Sequence, residues 1–522
     1  VMDSKDTEAE IHPLKHEDVK AQENHENSVE RRVGSKQSSQ LSRLSRWRTA
    51  AFFISLFLCL IIVFAFSFVI PCPERPVSER TWFRNYDDAV AYPFLAIEDV
   101  NKDKVQDVIF VFKASNGSSS FNRSCLDEGL PSPCAFVAAV SGTNGSVLWE
   151  RAAAEDVEWV ECGINQLGGA QAPSCLIVGK PVALTAIDQQ TGEVQWRQSS
   201  DFGANYTVLT PLSVIPDVDS DGVQDLIIFI ATENKTFIHS GKNGEQIGSP
   251  ESLNVDGNAR YIRFVPKPDS YYFLFYTGGN LFNKPASPAK KTSRFFVLFS
   301  SGDIRYLVRI PSGSGENILI VQSEMTMLVN GKNLQNLWTL NTSGVISEPL
   351  LGYYKPDVLG IVLESDIGPN RKKVCKLFCL ASLFSLNSRA HSPEPATLST
   401  ADHRSTFLFW GEYQIPGNET VTALQKLYLF HPSYTNVLLE LRNSTDQIIA
   451  FDAALFERSR HACYVLLRGP QPGQEPGFVS LMKRKLKEDV SESRVIWLSQ
   501  VAVDSEQYVR ERLYRMRFHS RD

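Results

Sequence analysis

Residues 211–228 read PLSVIPDVDSDGVQDLII, and residues 93–110 read PFLAIEDVNKDKVQDVIF. Laid together at an offset of 118 they agree at nine of 18 positions: Pro, Ile, Asp, Val, Asp, Val, Gln, Asp and Ile. Each copy is a short apolar run, an acidic loop and a second apolar run. Short β-branched runs bounded by turn residues read as strands, so the unit is a pair of strands joined by an acidic loop. Its recurrence points to a repeat architecture.

Working outward, a second unit recurs as a hairpin ending in Trp. It is seen in VAAVSGTNGSVLWE (137–150) and LTAIDQQTGEVQWRQ (184–198), with weaker echoes in IHSGKNGEQIG (238–248), FSSGDIRYL (299–307) and LVNGKNLQNLW (328–338). Asn144-Gly145 and Thr191-Gly192 supply tight turns between antiparallel strands. Trp149 and Trp196 alternate onto a buried face. Strands at this spacing, with little helical periodicity, predict an all-β fold made of four-stranded blades.

The acidic loops resemble the FG-GAP calcium loops of integrin alpha-chain propellers, and the Trp-ended hairpins resemble the repeats of quinoprotein-type propellers. The whole chain is similar to the integrin-alpha FG-GAP-repeat-containing membrane proteins grouped as "family with sequence similarity 234". The resemblance implies a type II membrane protein with a β-propeller ectodomain and no established enzymatic activity. At roughly 60 residues per blade the chain holds about seven blades, with eight as the alternative.

The second acidic loop keeps the DxDxDGxxD pattern intact in Asp217, Asp219, Asp221, Gly222 and Asp225. Carboxylates at alternate positions converge on a hard cation when the chain curls tightly, and the Val223 carbonyl supplies a further oxygen. Ca2+ is therefore the expected ion, in a structural role. The flanking strands, and the lack of a distal bidentate Glu, exclude an EF-hand. An Asp-rich turn without any ion is the plainer reading. The first loop offers Asp99, Asn101, Asp103, the Val105 carbonyl and Asp107, but Lys104 replaces the glycine and Lys102 adds a second positive charge. Both changes predict a strained, weaker site. A third segment, PLLGYYKPDVLGIVLE (349–364), keeps the strands without the acidic loop, and VCKLFCLASLFSL (374–386) departs from the hairpin pattern.

Upstream, AAFFISLFLCLIIVFAFSFVI (50–70) is uncharged and long enough to cross a bilayer as a helix. Arg31, Arg32, Lys36, Arg43, Arg46 and Arg48 precede it with no acid among them after Glu30, so the positive-inside rule places the N-terminus in the cytoplasm. Its length and distance from the N-terminus argue for an uncleaved signal-anchor over a signal peptide. The first 30 residues hold nine acids against three Lys and predict a disordered tail. The expected organisation is a cytoplasmic tail with a basic juxtamembrane segment (1–49), the transmembrane helix (50–70), a linker (71–90) and the propeller (91–522).

Eight acceptor triplets begin at Asn116, Asn122, Asn144, Asn205, Asn234, Asn341, Asn418 and Asn443, all after the apolar run. About three would arise by chance, so the downstream region is expected to be a lumenal or cell-surface glycoprotein. Cys59 lies in the apolar run. The other eight, Cys72, Cys125, Cys134, Cys162, Cys175, Cys375, Cys379 and Cys463, form an even set suited to disulfides. Proximity in sequence suggests Cys125 with Cys134 and Cys162 with Cys175. Zinc is the rival explanation, weakened by the lack of any CxxC pair.

Net charge of -6 over 522 residues gives no ground for a nucleic-acid partner. HExxH, GxSxG and phosphate-loop patterns are missing from the sequence. KRKLK (483–487) reads as a solvated strand or loop, with a glycosaminoglycan contact as the lesser alternative. The leading expectation is a non-enzymatic scaffold that presents its propeller to an unknown protein partner. The alternatives are carbohydrate or quinone chemistry in the central channel, which a polar cluster at one channel mouth would favour, and a tether acting through its cytosolic tail.

Overall fold

The structure is a computed structural model that describes residues 38–69 and 81–519, apart from 119–122, 181–183, 204, 254, 256–258, 268–269, 286–293, 297–301, 314, 343, 346, 367–371, 378–382, 388–392, 414–424, 458–460 and 499–503. The chain divides into two compact units, residues 1–75 and 76–522. In the first, helix α1 (Ser38–Val69) carries an apolar stretch, Trp47–Ala65, with mean hydropathy 2.3 and no burial inside the unit. It is long and apolar enough to cross a membrane. The acidic tail expected to be disordered lies outside the described residues.

In the second unit, DVIFVF (107–112) and DLIIFI (225–230) are apolar at consecutive positions because both strand faces are buried. Val108, Phe110 and Phe112 face one apolar cluster while Ile109 and Val111 face another. Leu226, Ile228 and Ile230 face a third, and Ile227 and Phe229 a fourth. A strand that shows a different core on each side belongs to a blade packed between two others.

The described strands group into eight four-stranded antiparallel sets. Seven span residues 156–198, 213–252, 260–296, 304–341, 350–387, 396–444 and, with the first strand's help, 448–485. The eighth set begins inside the 17-residue strand Trp82–Glu98, which serves two blades. Its first half pairs with Gly477–Lys485 from Trp82↔Lys483 to Ala89↔Gly477, and its second half pairs with Asp107–Ala114 from Val90↔Lys113 to Glu98↔Asp107. The N-terminal strand thus completes the last blade and opens the first. Eight apolar clusters among the described residues each lie between successive blades, including one that joins last to first. The ring is closed.

Two expectations are corrected. Blades number eight, not seven, because first strands starting at Arg260, Ile304, Leu350 and Ala396 set a pitch near 45 residues in that half of the ring. The propeller begins at Trp82, so the supposed linker to residue 90 is partly ring-closing strand. Of FSSGDIRYL, residues 299–301 lie outside the described residues, and Ile304 to Leu307 belong to the strand Ile304–Ser312, which pairs with Gly315–Gln322. The C-terminus then adds helices α2 (Leu486–Glu492) and α3 (Glu506–Tyr514) and a fifth strand, Arg494–Trp497, on the seventh blade.

Candidate metal centre

The two acidic loops share one hydrogen-bond plan. Asp99 Oδ2 accepts from Lys104 N–H at 3.0 Å, and Asp217 Oδ2 accepts from Gly222 N–H at 2.8 Å. Asn101 Oδ1 accepts from Asp103 N–H at 3.0 Å, and Asp219 Oδ1 from Asp221 N–H at 3.1 Å. Asp103 Oδ1 caps Val105 N–H at 2.7 Å, as Asp221 Oδ1 caps Val223 N–H at 2.9 Å. Asp107 Oδ2 accepts from Val100 N–H at 3.0 Å, and Asp225 Oδ2 from Val218 N–H at 2.6 Å. Every pair keeps the offset of 118. The glycine's absence from the first loop does not change its path: Lys104 takes φ 70° where Gly222 has 89°, and Lys102 takes φ 62° where Ser220 has 63°. A non-glycine residue pays roughly 1 to 2 kcal/mol for this left-handed conformation, so the expected strain is present and is borne by the backbone.

In the second loop one oxygen each from Asp217, Asp219 and Asp225 lies within 4.8 Å of the others. Oxygens bound at about 2.4 Å to a single Ca2+ can stand no farther apart than this, so the spacing fits one hard cation. Asp221 is not in that group: its Oδ1 serves Val223, and its Oδ2 accepts from Ser240 Oγ at 2.9 Å. Val223 and Val105 are both buried beneath their loops. The equivalent triad in the first loop is Asp99, Asn101 and Asp107, with one amide for a carboxylate. There Asp99 Oδ1 is buried without a hydrogen-bond partner, an orphan acceptor of the kind a cation would satisfy. Lys102 and Lys104 are exposed.

The electrostatics follow from placement. Burial pushes the Asp107 carboxyl up to about 6, against the N–H groups of Gly142, Asn101 and Val100. Burial also raises Asp225, opposed by the Val218 and Gly241 N–H groups and reinforced by the charges of Asp219 and Asp217. Asp217, at the surface, is held low chiefly by the Gly222 N–H.

The buried carboxylates reach beyond their loops. Asp107 Oδ1 accepts from Gly142 N–H at 2.9 Å and Asp225 Oδ1 from Gly241 N–H at 3.3 Å. These glycines lie in the turns of the hairpins at 137–150 and 238–248, and their carbonyls receive indole N–H groups from the preceding blade: Trp82 to Gly142 at 3.1 Å, Trp196 to Gly241 at 3.2 Å, and likewise Trp149 to Gln189 at 3.0 Å. Each indole also lies over the turn glycine of the next hairpin, Gly145, Gly192 or Gly244, where a Cβ would stand 2.4 to 2.6 Å from a ring atom. Sequence reading found Trp149 and Trp196 but missed Trp82, whose partner turn is 60 residues away in the first blade.

The remaining sequence calls divide. Cys125–Cys134 and Cys162–Cys175 are disulfides. Cys463, expected among the paired set, is a free buried thiol pushed up to about 11 by burial. Cys72 and Cys379 lie outside the described residues and Cys375 falls in the strand Lys372–Leu377. Asn116, Asn144, Asn205, Asn341 and Asn443 are exposed, Asn234 is half-buried, and Asn122 and Asn418 lie outside the described residues. KRKLK is not solvated throughout: Lys483 is fully buried, donates from Nζ to the Gly142 carbonyl at 2.5 Å, and stands 4.8 Å from the centre of the Phe456 ring.

The sequence pattern of the FAM234A/B beta-propeller matches residues 82–287 and 282–519. The chain is 43% identical to Protein FAM234A of Homo sapiens over 100% of both chains, and 44% identical to that of Bos taurus over 99% of each. It is 28% identical to Protein FAM234B of Gallus gallus, over 90% of this chain and 83% of that one. Among solved structures, the WD40 domain of SCAP from fission yeast covers 77% of this chain and 98% of its own at TM-score 0.40 and 9% identity. BamB from Moraxella catarrhalis covers 77% and 99% at TM-score 0.36 and 9% identity. With both halves of the propeller matched and full-length relatives above 40% identity, the chain belongs to the FAM234A/B beta-propeller family.

Proposed function

We propose that the chain is a single-pass type II membrane glycoprotein, its N-terminus cytoplasmic, whose propeller is stabilised by calcium and binds protein partners outside the cytosol without catalysis. The observation that carries this reading is the convergence of Asp217, Asp219 and Asp225 within 4.8 Å. Three like charges at that separation repel one another, and bound Ca2+ would neutralise them. Because Asp225 also holds Gly241, the hairpin on which Trp196 docks, loop order is tied to the junction between the second and third blades. The apolar α1 with its one-sided basic flank supports the orientation, and two disulfides support an oxidising compartment.

The deciding experiment is a thermal melt of the full chain in nanodiscs, in 2 mM calcium and in chelator. A ligand bound only by the folded state at about a hundredfold excess over its dissociation constant adds roughly 2.7 kcal/mol. A melting temperature indifferent to calcium removes the metal from the reading. Protease added to sealed microsomes tests the orientation: it should trim only the first few dozen residues.

A further inference from the structure

The first strands of the blades approach one another around the ring axis, the first blade's meeting the second's and the eighth's, and the seventh's meeting the sixth's and eighth's. They therefore form the wall of the central channel. At the mouth on the side of the acidic loops, a cavity of about 500 Å3 opens over the fifth, sixth and seventh blades. Cavities of this size accommodate small ligands. Its lining is chemically biased.

His403 and Arg404 come from the turn after the seventh blade's first strand. His519 is brought beside them because the C-terminal segment pairs with that strand: Ala401 N–H donates to Arg517 O at 2.8 Å and His519 N–H to Ser399 O at 2.9 Å. Tyr353, partly exposed, and Leu351 supply an aromatic and an apolar wall, and Asp357 is the carboxylate of the lining. The lining holds one guanidinium, two imidazoles and one carboxylate, and the carboxylate of Asp402 lies close behind the guanidinium. Arg404 places one terminal nitrogen against Ser433 Oγ and, at 3.6 Å, Asp402, while its buried Nε–H has no acceptor.

We propose that this channel mouth binds a terminal acidic sugar, a pyranose bearing a carboxylate. The carboxylate would lie against His403, His519 and the second terminal nitrogen of Arg404, because charge-assisted bonds exceed neutral ones in strength. The apolar face of the ring packs on Tyr353 and Leu351, and Asp357 accepts from a ring hydroxyl. The site lies apart from the acidic loops of the first and third blades and does not depend on calcium.

The probes are 3′-sialyllactose, a hyaluronan tetrasaccharide and neutral lactose, titrated by calorimetry into the full chain in nanodiscs, expressed without sialic acid on its own glycans. Saturable binding of either acidic saccharide is expected, with lactose at least tenfold weaker, and which acidic probe wins identifies the source of the sugar. His403→Ala with His519→Ala, both exposed in the structure, should weaken that binding about tenfold and leave the melting temperature unchanged. Arg404→Gln should weaken it further, and because Arg404 also braces Ser433 it is read only if its melting temperature is retained. Equal affinity for acidic and neutral probes, no binding of either acidic probe, or full affinity in the double-histidine variant overturns the assignment.

Discussion

The glycine at each docking turn is required for two separable reasons, and a matched pair of substitutions within the second blade distinguishes them. Gly192 and Gly169 have nearly the same backbone, at φ 70° and 72°. An alanine at Gly169 meets nothing within 4 Å, whereas at Gly192 its Cβ would stand 2.6 to 2.8 Å from three atoms of the Trp149 indole. Gly169→Ala therefore pays only the left-handed cost, about 1 to 2 kcal/mol. Gly192→Ala pays that plus overpacking against a buried ring, about 1 to 3 kcal/mol more, because Trp149 is tied by its N–H to Gln189 and cannot withdraw cheaply. In a domain of this size, each kcal/mol corresponds to roughly 1 to 2 °C in melting temperature. Differential scanning fluorimetry should therefore place Gly192→Ala several degrees below Gly169→Ala. Trp149→Ala alone should cost about 3 to 5 kcal/mol. Adding Gly192→Ala to it should then cost little more than Gly169→Ala does, since the clash has gone and the two changes couple. If Gly192→Ala is no worse than Gly169→Ala, or the double variant is additive, the indole is not packed against this turn.

Asp219→Asn keeps the oxygen that accepts from Asp221 and removes one charge, giving the second loop the first loop's Asp, Asn and Asp triad; it should abolish most of the calcium-dependent rise in melting temperature, and Asp103→Ala in the first loop should remove less. In chelator, Asp107 with its carboxyl near 6 binds a proton in the fold before the unfolded chain does at its ordinary 3.8, so its contribution is fully present below about 3.8 and is lost as pH rises through 6. Asp107→Asn should accordingly flatten the melting temperature between pH 4 and 6, and an unchanged slope would contradict the burial of this carboxylate. Peptide mapping without reductant should recover Cys125–Cys134 and Cys162–Cys175 as linked pairs, with Cys463 alkylated only after denaturation; rapid labelling of Cys463 in the native protein would count against its place in the core. Asn144→Gln should remove one step from the ladder of partial deglycosylation, because Asn144 sits exposed at a hairpin turn.

The legible features share a short range. The strand, acidic loop and strand unit, the turn glycines and the apolar α1 are each written within about 20 residues, where side-chain period and turn chemistry act locally. The closeness of Asp217, Asp219 and Asp225 has the same short range, since alternate carboxylates converge within one curl of chain. Tertiary structure decided the rest. Trp82 docks on Gly142, Lys483 is buried against the same glycine 341 residues earlier in the chain, and the first strand pairs with the last blade. KRKLK resembles a solvated run because nothing nearby in sequence shows that closing the ring covers its first lysine. Asp221, equal to its neighbours in the motif, is drawn out of the carboxylate group by Ser240, which the next hairpin delivers. Blade number belongs to this second class as well: each blade must bury two apolar faces, and only when the N-terminal strand meets the last blade is it settled how many blades the ring contains.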